Sequence, residues 1–234
     1  MSKVAQLDLN PAVAVKSESP LEMCRVGVAA LASPQAAGVL VKERLFLGHL
    51  ILRGKAADPA FCAGVEQALG VPLPLKMGLM SRDENSGVSI QWMSPDEWLL
   101  IVPGGQEFDV EASLRQQLSG HYAVMNVSGA QTVLELAGPG VREMLMKCTP
   151  YDVHPRNFPV GKAVSSVFAK STAIIRRVGE ERWEVVIRRS FADYLYRWVL
   201  DASEEFGVFV APASADPKPM RKMAPVRELA AQAR

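Results

Sequence analysis

The chain has 234 residues, 49% of them apolar and 22% charged, enough to bury a sizeable core without covalent staples. A formal net charge of +1 excludes the basic field that gathers nucleic acid or acidic lipid, so neither is expected as a partner. The three cysteines, Cys24, Cys62 and Cys148, are dispersed without a CxxC spacing, which fits a reducing compartment and argues against a disulfide framework or a zinc site.

The chain divides into a Pro/Ser-containing lead (1–24), a body (25–211) and a tail (212–234). In the lead, Asp8, Pro11, Lys16 and Glu18 interrupt any apolar run before it reaches signal-peptide length. The longest apolar stretch, "VGVAALA" at 26–32, is far short of the roughly 20 residues that cross a bilayer. A cytoplasmic protein without membrane contact is expected. The tail carries Pro212, Pro217, Pro219 and Pro225, and reads either as a solvated end or as an arm that orders on a partner.

Within the body, "LGHLILR" (47–53) is a strand, and "DPAFCAGVEQALG" (58–70) a helix with Asp58 as cap, Pro59 in the first turn and Gly70 as stop. "VSIQWM" and "EWLLIV" flank a turn at "SPDE" and form a hairpin. "DVEASLRQQLSG" (109–120) is a second helix, with Asp109 at its start, Val110, Leu114 and Leu118 on one face, and Gly120 at its end. "AVMNVS" and "TVLELA" are strands, and "GPGVREMLMKC" is a third helix. Three more strands follow, "AVSSVFAK", "TAIIRRV" and "WEVVIRR". The fourth helix, "SFADYLYRWVLDASEEFG" (190–207), pairs Ser190 with Asp193 at capping-box spacing. Its expected stripe is Phe191, Leu195, Trp198, Ala202 and Phe206, which leaves Tyr194, Tyr196 and Arg197 outside it as candidates for a subunit interface.

The order strand, helix, strand, helix occurs twice. Gly54 corresponds to Gly138 and Trp98 to Trp183, and the two offsets agree to within one residue. This predicts an α+β fold, mainly antiparallel, made of two β-α-β-β-α-like halves that share one core about an approximate twofold axis.

No constellation points firmly to catalysis. "GPGVRE" has glycines at 138 and 140, but Glu143 stands where the dinucleotide fingerprint requires a third. A turn that joins strand to helix is the reading the residues favour. Cys148, Asp152 and His154 crowd into "CTPYDVHP", where a thiolate nucleophile is weighed against a buried thiol; no oxyanion-hole signature accompanies them. His49 and His121 are read as packing residues in strands, and three dispersed histidines give a metal site little support. Asp96 and Glu97 belong to the hairpin turn, with Trp92 and Trp98 at its base. Arg188 and Arg189 are read as intrachain partners of Glu180, Glu181 and Glu184, in preference to an anion site.

Four segments, "HLILRGKAADPAFCAGVEQALGVPLP", "QWMSPDEWLLIVPGG", "NVSGAQTVLELAGPGVREMLMKCTPYDVHPRNFPVGKA" and "RRSFADYLYRWVLDASEEFG", occur in consecutive order. Together they resemble the gamma subunits of heterotetrameric bacterial sarcosine oxidases, over about residues 40–207. The resemblance implies a fold similar to the folate-binding domain of the glycine-cleavage T-protein, and alpha, beta and delta subunits as partners. It also implies a complex that demethylates sarcosine to glycine with oxygen, giving hydrogen peroxide and methylenetetrahydrofolate. FAD, FMN, NAD, zinc and tetrahydrofolate are implied in the other subunits and none in this chain; no catalytic, cofactor or metal residue is carried over. Two alternatives stay open, the equivalent subunit of N-methylglutamate dehydrogenase and a stand-alone folate-dependent aminomethyl transferase.

Overall fold

The computed structural model describes residues 18–25 and 36–213. The readings for residues 1–17, for "VGVAALA" and for the tail beyond Ala213 lie outside the described residues. The helices are α1 (Glu22–Arg25), α2 (Pro59–Leu69), α3 (Glu107–Gln117), α4 (Val141–Cys148) and α5 (Ala192–Ser203). The strands of the first half are β1 (Val39–Arg44), β2 (Gly48–Arg53), β3 (Met80–Arg82), β4 (Ser89–Ser94) and β5 (Glu97–Val102). Those of the second are β6 (Ala123–Asn126), β7 (Gln131–Ala137), β8 (Ala163–Phe168), β9 (Ser171–Arg177), β10 (Arg182–Arg188) and β11 (Val208–Val210).

Helix α2 obeys its end signals: the Asp58 carboxylate accepts the Ala60 N–H at 2.9 Å, and Gly70 closes the helix at φ +70°. Two other helices differ from expectation. Helix α3 starts at Glu107, before Asp109, and stops when Leu118 turns extended, ahead of Gly120. Helix α5 forms no capping box, because residues 189–191 make a 3₁₀ turn and the Asp193 carboxylate instead accepts from Arg197. Its buried face is Ala192, Leu195, Tyr196, Val199 and Ala202, whereas Phe191 is 42% exposed. Both stripes satisfy helical spacing, and the sheet beneath selects the one that Tyr196 shares.

The eleven strands form two sheets, β11-β1-β7-β10-β9-β8 and β3-β4-β5-β2-β6. Each half sends its first strand into the other sheet. Strand β1 precedes β2 but pairs antiparallel with β7, whereas β6 precedes β7 but pairs antiparallel with β2. The remaining order is then the same in both halves: β3-β4-β5-β2 in one, β8-β9-β10-β7 in the other. Leu52 lies opposite Trp98 as Leu136 lies opposite Trp183, so the repeat predicted from Gly54/Gly138 and Trp98/Trp183 is a repeat of register.

The core is not shared as expected. Helices α4 and α5 cover the outer face of the first sheet through Leu134, Leu136, Leu145, Trp183 and Leu195. Helices α2 and α3 cover the outer face of the second through Phe61, Val65, Trp98, Leu100 and Leu114. Between the sheets lies a smaller apolar cluster of Leu47, Leu99, Ile101, Val133, Ile174 and Val186. The result is four layers, helix-sheet-sheet-helix, in which strand alternation divides each strand between an outer and an inner core. Residues of the lead join the body: Leu21 is fully buried in the first cluster, and the Ser19 hydroxyl donates to Glu43.

The two glycine turns are equivalent. The Gly54 N–H donates to the Asp96 carbonyl and the Gly138 N–H to the Glu181 carbonyl, each tying a helix entry to the adjacent hairpin. A methyl group on Gly138 would lie 2.5 Å from the Gly38 carbonyl oxygen, at φ +119°. Gly138→Ala is therefore expected to cost about 3 kcal/mol or more, from backbone strain and a clash with main chain. Gly70→Ala, at positive φ with nothing within 4 Å, is expected to cost only about 1–2 kcal/mol. Urea unfolding of both variants checks the contrast.

Candidate functional site

The chemistry-bearing residues resolve into five places. At the N-terminus of α4 the Gly140 N–H donates to the Gly38 carbonyl at 2.9 Å, and the Phe206 side chain packs over Gly140. The space a phosphate would need holds the start of β1 and the end of the last helical segment. "GPGVRE" therefore connects strand to helix, with its glycines demanded by close backbone approach.

Cys148 and His154 are not assembled. Cys148 ends α4 at 3% exposure, and its thiol meets the Met144 sulfur at 3.5 Å. Burial pushes its pKa up to about 12, so the thiolate is suppressed at neutral pH. Asp152 accepts the His154 backbone N–H, and the His154 ring accepts that of Arg156, so this segment is a string of local turns. Asp152 and His154 line an open depression of about 760 Å³ with Arg142, Glu143, Tyr151 and Arg156. At the β4–β5 hairpin, Asp96 and Glu97 both meet Arg53, at 2.7 and 3.6 Å. They are ion-pair partners at a turn, as the hairpin reading requires. Trp98 is fully buried and donates its indole N–H to the Pro74 carbonyl.

The fourth place is the inward face of the sheets, and its partners were not legible in the sequence. Glu184 on β10, 2% exposed, accepts from Arg82 at 2.7 Å and Arg44 at 3.0 Å, and Arg176 lies 3.4 Å away. Arg82 comes from the opposite sheet and so ties the two layers together. Arg176, itself 1% exposed, donates to the Ser89 hydroxyl across the same gap. The expected pairing of Arg188 and Arg189 with the nearby glutamates is not found: Glu180 pairs with Arg177, Glu184 takes the three arginines above, and Arg189 donates to the Glu18 carbonyl. Distance along the strand is the reason: Glu184 sits near the middle of β10, whereas Arg188 is its exposed last residue and Arg189 lies in the turn beyond. The available signal was a single acid inside the apolar run "WEVVI".

Histidines fall differently from expectation. His49 is buried in β2, its Nδ1 3.1 Å from the Leu47 carbonyl, but His121 lies exposed in the bend before β6 rather than in a strand. No group of three or more potential metal ligands occurs among the described residues.

The fifth place is α5. Arg197 is exposed and pairs with Asp193 at 2.7 Å; Tyr194 is half-buried, meets the Trp198 ring at a 53° tilt and accepts the Lys170 N–H through its hydroxyl. Tyr196 is a correction: it is 3% exposed and belongs to the core under the helix, so it presents no surface to a neighbour.

Comparison with known proteins places this architecture. The family model described as sarcosine oxidase, gamma subunit family matches residues 53–205. The chain belongs to that family. A relative in Corynebacterium sp. (strain P-1), sarcosine oxidase subunit gamma, is 33% identical over 180 residues, 76% of this chain and 86% of the relative. A chain of the heterotetrameric sarcosine oxidase from Corynebacterium sp. U-96, solved with pyrrole 2-carboxylate, superposes with TM-score 0.74 at 30% identity, covering 82% of this chain and 96% of that one. The aminomethyltransferase T of the Bartonella henselae glycine cleavage system shares the fold, with TM-score 0.59 at 16% identity, over 83% of this chain and 58% of that one. The T-protein-like fold implied by the resemblance is therefore the fold of this gamma-family chain.

Two buried groups make its stability depend on acid. Burial raises the Glu184 pKa, but the guanidinium groups of Arg176, Arg82 and Arg44 outweigh this and bring it from 4.5 down to about 2. The unfolded chain takes up this proton near pH 4.5 and the folded chain only near 2, so its stabilisation is complete above 4.5 and lost between 4.5 and 2. Burial lowers His49 from 6.5 to about 4, partly offset by the Leu47 carbonyl, so a further loss runs from pH 6.5 to 4. Unfolding free energy measured across pH is expected to fall through both windows. Glu184→Gln should make the loss in the lower window shallower, leaving the part owed to surface carboxylates such as Asp96, and cost about 3 kcal/mol at neutral pH.

Proposed function

We propose that this chain is the gamma subunit of a heterotetrameric sarcosine oxidase and works by shape, packing against alpha, beta and delta subunits without reacting groups of its own. The observation that carries this reading is the superposition over 96% of one chain of the solved heterotetramer, at 30% identity. The complex would demethylate sarcosine oxidatively to glycine with oxygen, giving hydrogen peroxide and 5,10-methylenetetrahydrofolate, or formaldehyde when folate is absent. FAD, FMN, NAD, zinc and tetrahydrofolate would be held by the other subunits, and the assembly would be cytoplasmic. No described helix is long and apolar enough to cross a membrane, in keeping with that placement.

The buried thiol of Cys148, the filled α4 N-terminus and the turn-bound carboxylates Asp96 and Glu97 are all committed to the fold. A subunit of this kind acts through its surfaces. Exposed Arg197 and half-buried Tyr194 are the part of α5 offered to a neighbour.

Purification of the tagged chain from its native cell is expected to bring down a yellow complex with three further chains that oxidises sarcosine. A colourless monomer that binds tetrahydrofolate with micromolar affinity would favour an aminomethyl transferase instead. Arg197→Ala combined with Tyr194→Phe, which keeps the ring contact with Trp198, is expected to reduce recovery of the partner chains about tenfold or more while the subunit still unfolds in one cooperative transition, read by quantitative pull-down and thermal denaturation.

A further inference from the structure

On the inward face of the six-stranded sheet, Lys42, Glu135, Glu184 and Arg176 stand opposite one another on β1, β7, β10 and β9. At the flank of this row, where β3 of the other sheet arrives, a recess of about 170 Å³ opens. Lys42, Arg44, Arg82 and Arg182 line it, together with Glu84 and Glu135. Glu184 lies behind it, held by Arg44 and Arg82 from the recess side and by Arg176 from within.

The charges do not balance. Lys42, Arg44, Arg82, Arg176 and Arg182 face Glu84, Glu135 and Glu184, a surplus of two positive charges. The donors are also only partly used. Arg44 commits Nη1 alone to Glu184, and Lys42 and Arg182 have no ion pair among the described residues. Arg82 is spent, with Nη1 on Glu184 and its remaining nitrogens on Glu84. The Arg44 and Arg82 side chains are only 16% and 15% exposed and Lys42 is half-buried, so water screens the inner wall of the recess weakly, while Arg182 stands exposed at its rim. Guanidinium forks in such a setting select planar or tetrahedral oxyanions, which accept two N–H bonds at once. The volume is well below the roughly 300 Å³ at which pockets for drug-sized ligands begin, so the occupant is small.

We propose that this recess is a binding site for a small dianionic oxyanion, phosphate or a short dicarboxylate, gripped by Arg44, Lys42 and Arg182, with Arg82 fixed by its two glutamates as the rigid wall. Arg44 and Arg82 are held in place by the buried Glu184, so the site is preorganised by the same contact that joins the sheets. Glu84 and Glu135 set the selectivity by repelling an anion that does not engage the guanidinium groups directly.

Isothermal titration of the full-length chain at low ionic strength, with inorganic phosphate and with succinate, tests this. Saturable one-to-one binding of either is expected, about tenfold or more tighter than acetate, because the second charge engages a second cation. Phosphate alone would assign a phosphate ligand, and succinate alone a dicarboxylate. Lys42→Ala with Arg182→Ala, both outside the Glu184 cluster, is expected to weaken binding about tenfold or more at an unchanged unfolding midpoint. Arg44→Lys, which keeps the charge and loses the fork, should weaken it too. No saturable binding of either dianion, acetate binding as tightly, or undiminished binding by the double variant overturns the proposal.

Discussion

A strand at the edge of a sheet leaves a row of backbone N–H and C=O groups without partners, and each half of this protein would end on such an edge at β2 or β7. The exchange of β1 and β6 covers β2 and β7 at once and leaves the shorter strands β6 and β11 as the edges there. Because the polypeptide runs from β1 straight into β2, and from β6 straight into β7, it crosses from one sheet to the other twice. Neither half can complete its hydrogen bonding alone. That constraint fixes the distance between the sheets and therefore everything that lies in the gap.

The gap is filled in two ways. Leu47, Leu99, Ile101, Val133, Ile174 and Val186 supply dry packing, and Glu184 with its three arginines supplies a charged tie beside it. A lone buried carboxylate would be very costly, and the tie persists because partners converge from β1, β3 and β9 and satisfy it together. The same convergence produces the cationic recess at the flank. Function in a gamma-family chain is then a matter of which surfaces the two crossed halves present, with helices α4 and α5 on one outer face and α2 and α3 on the other.

Most elements were legible because their signals are local. Asp58, Pro59 and Gly70 bracket α2 within a dozen residues, and the short apolar runs "EWLLIV" and "TVLELA", bounded by turn residues, mark buried strands whatever they pair with. Strand β1 was obscured because Glu43 occupies an otherwise apolar row, where Thr132 and Ser19 satisfy it, and the three-residue strands β3 and β11 are too short to show a period. The phase of α5 was misread because Phe191, Trp198 and Phe206 form as good a stripe as Ala192, Leu195 and Val199. Only the sheet beneath distinguishes them, and it turned Tyr196 inward.

By itself, the sequence determined the class of fold, the internal repeat anchored by Gly54, Gly138, Trp98 and Trp183, and the family, since each is written in spacings along the chain. The tertiary structure alone decided that β1 and β6 change sheets, that Glu184 lies among Arg44, Arg82 and Arg176, and that two surplus positive charges meet in one recess. These pairings join residues far apart in the chain. A charged side chain carries no local mark of its partner, because the partner is chosen by strand register and sheet separation, and those exist only once the two halves have closed on each other.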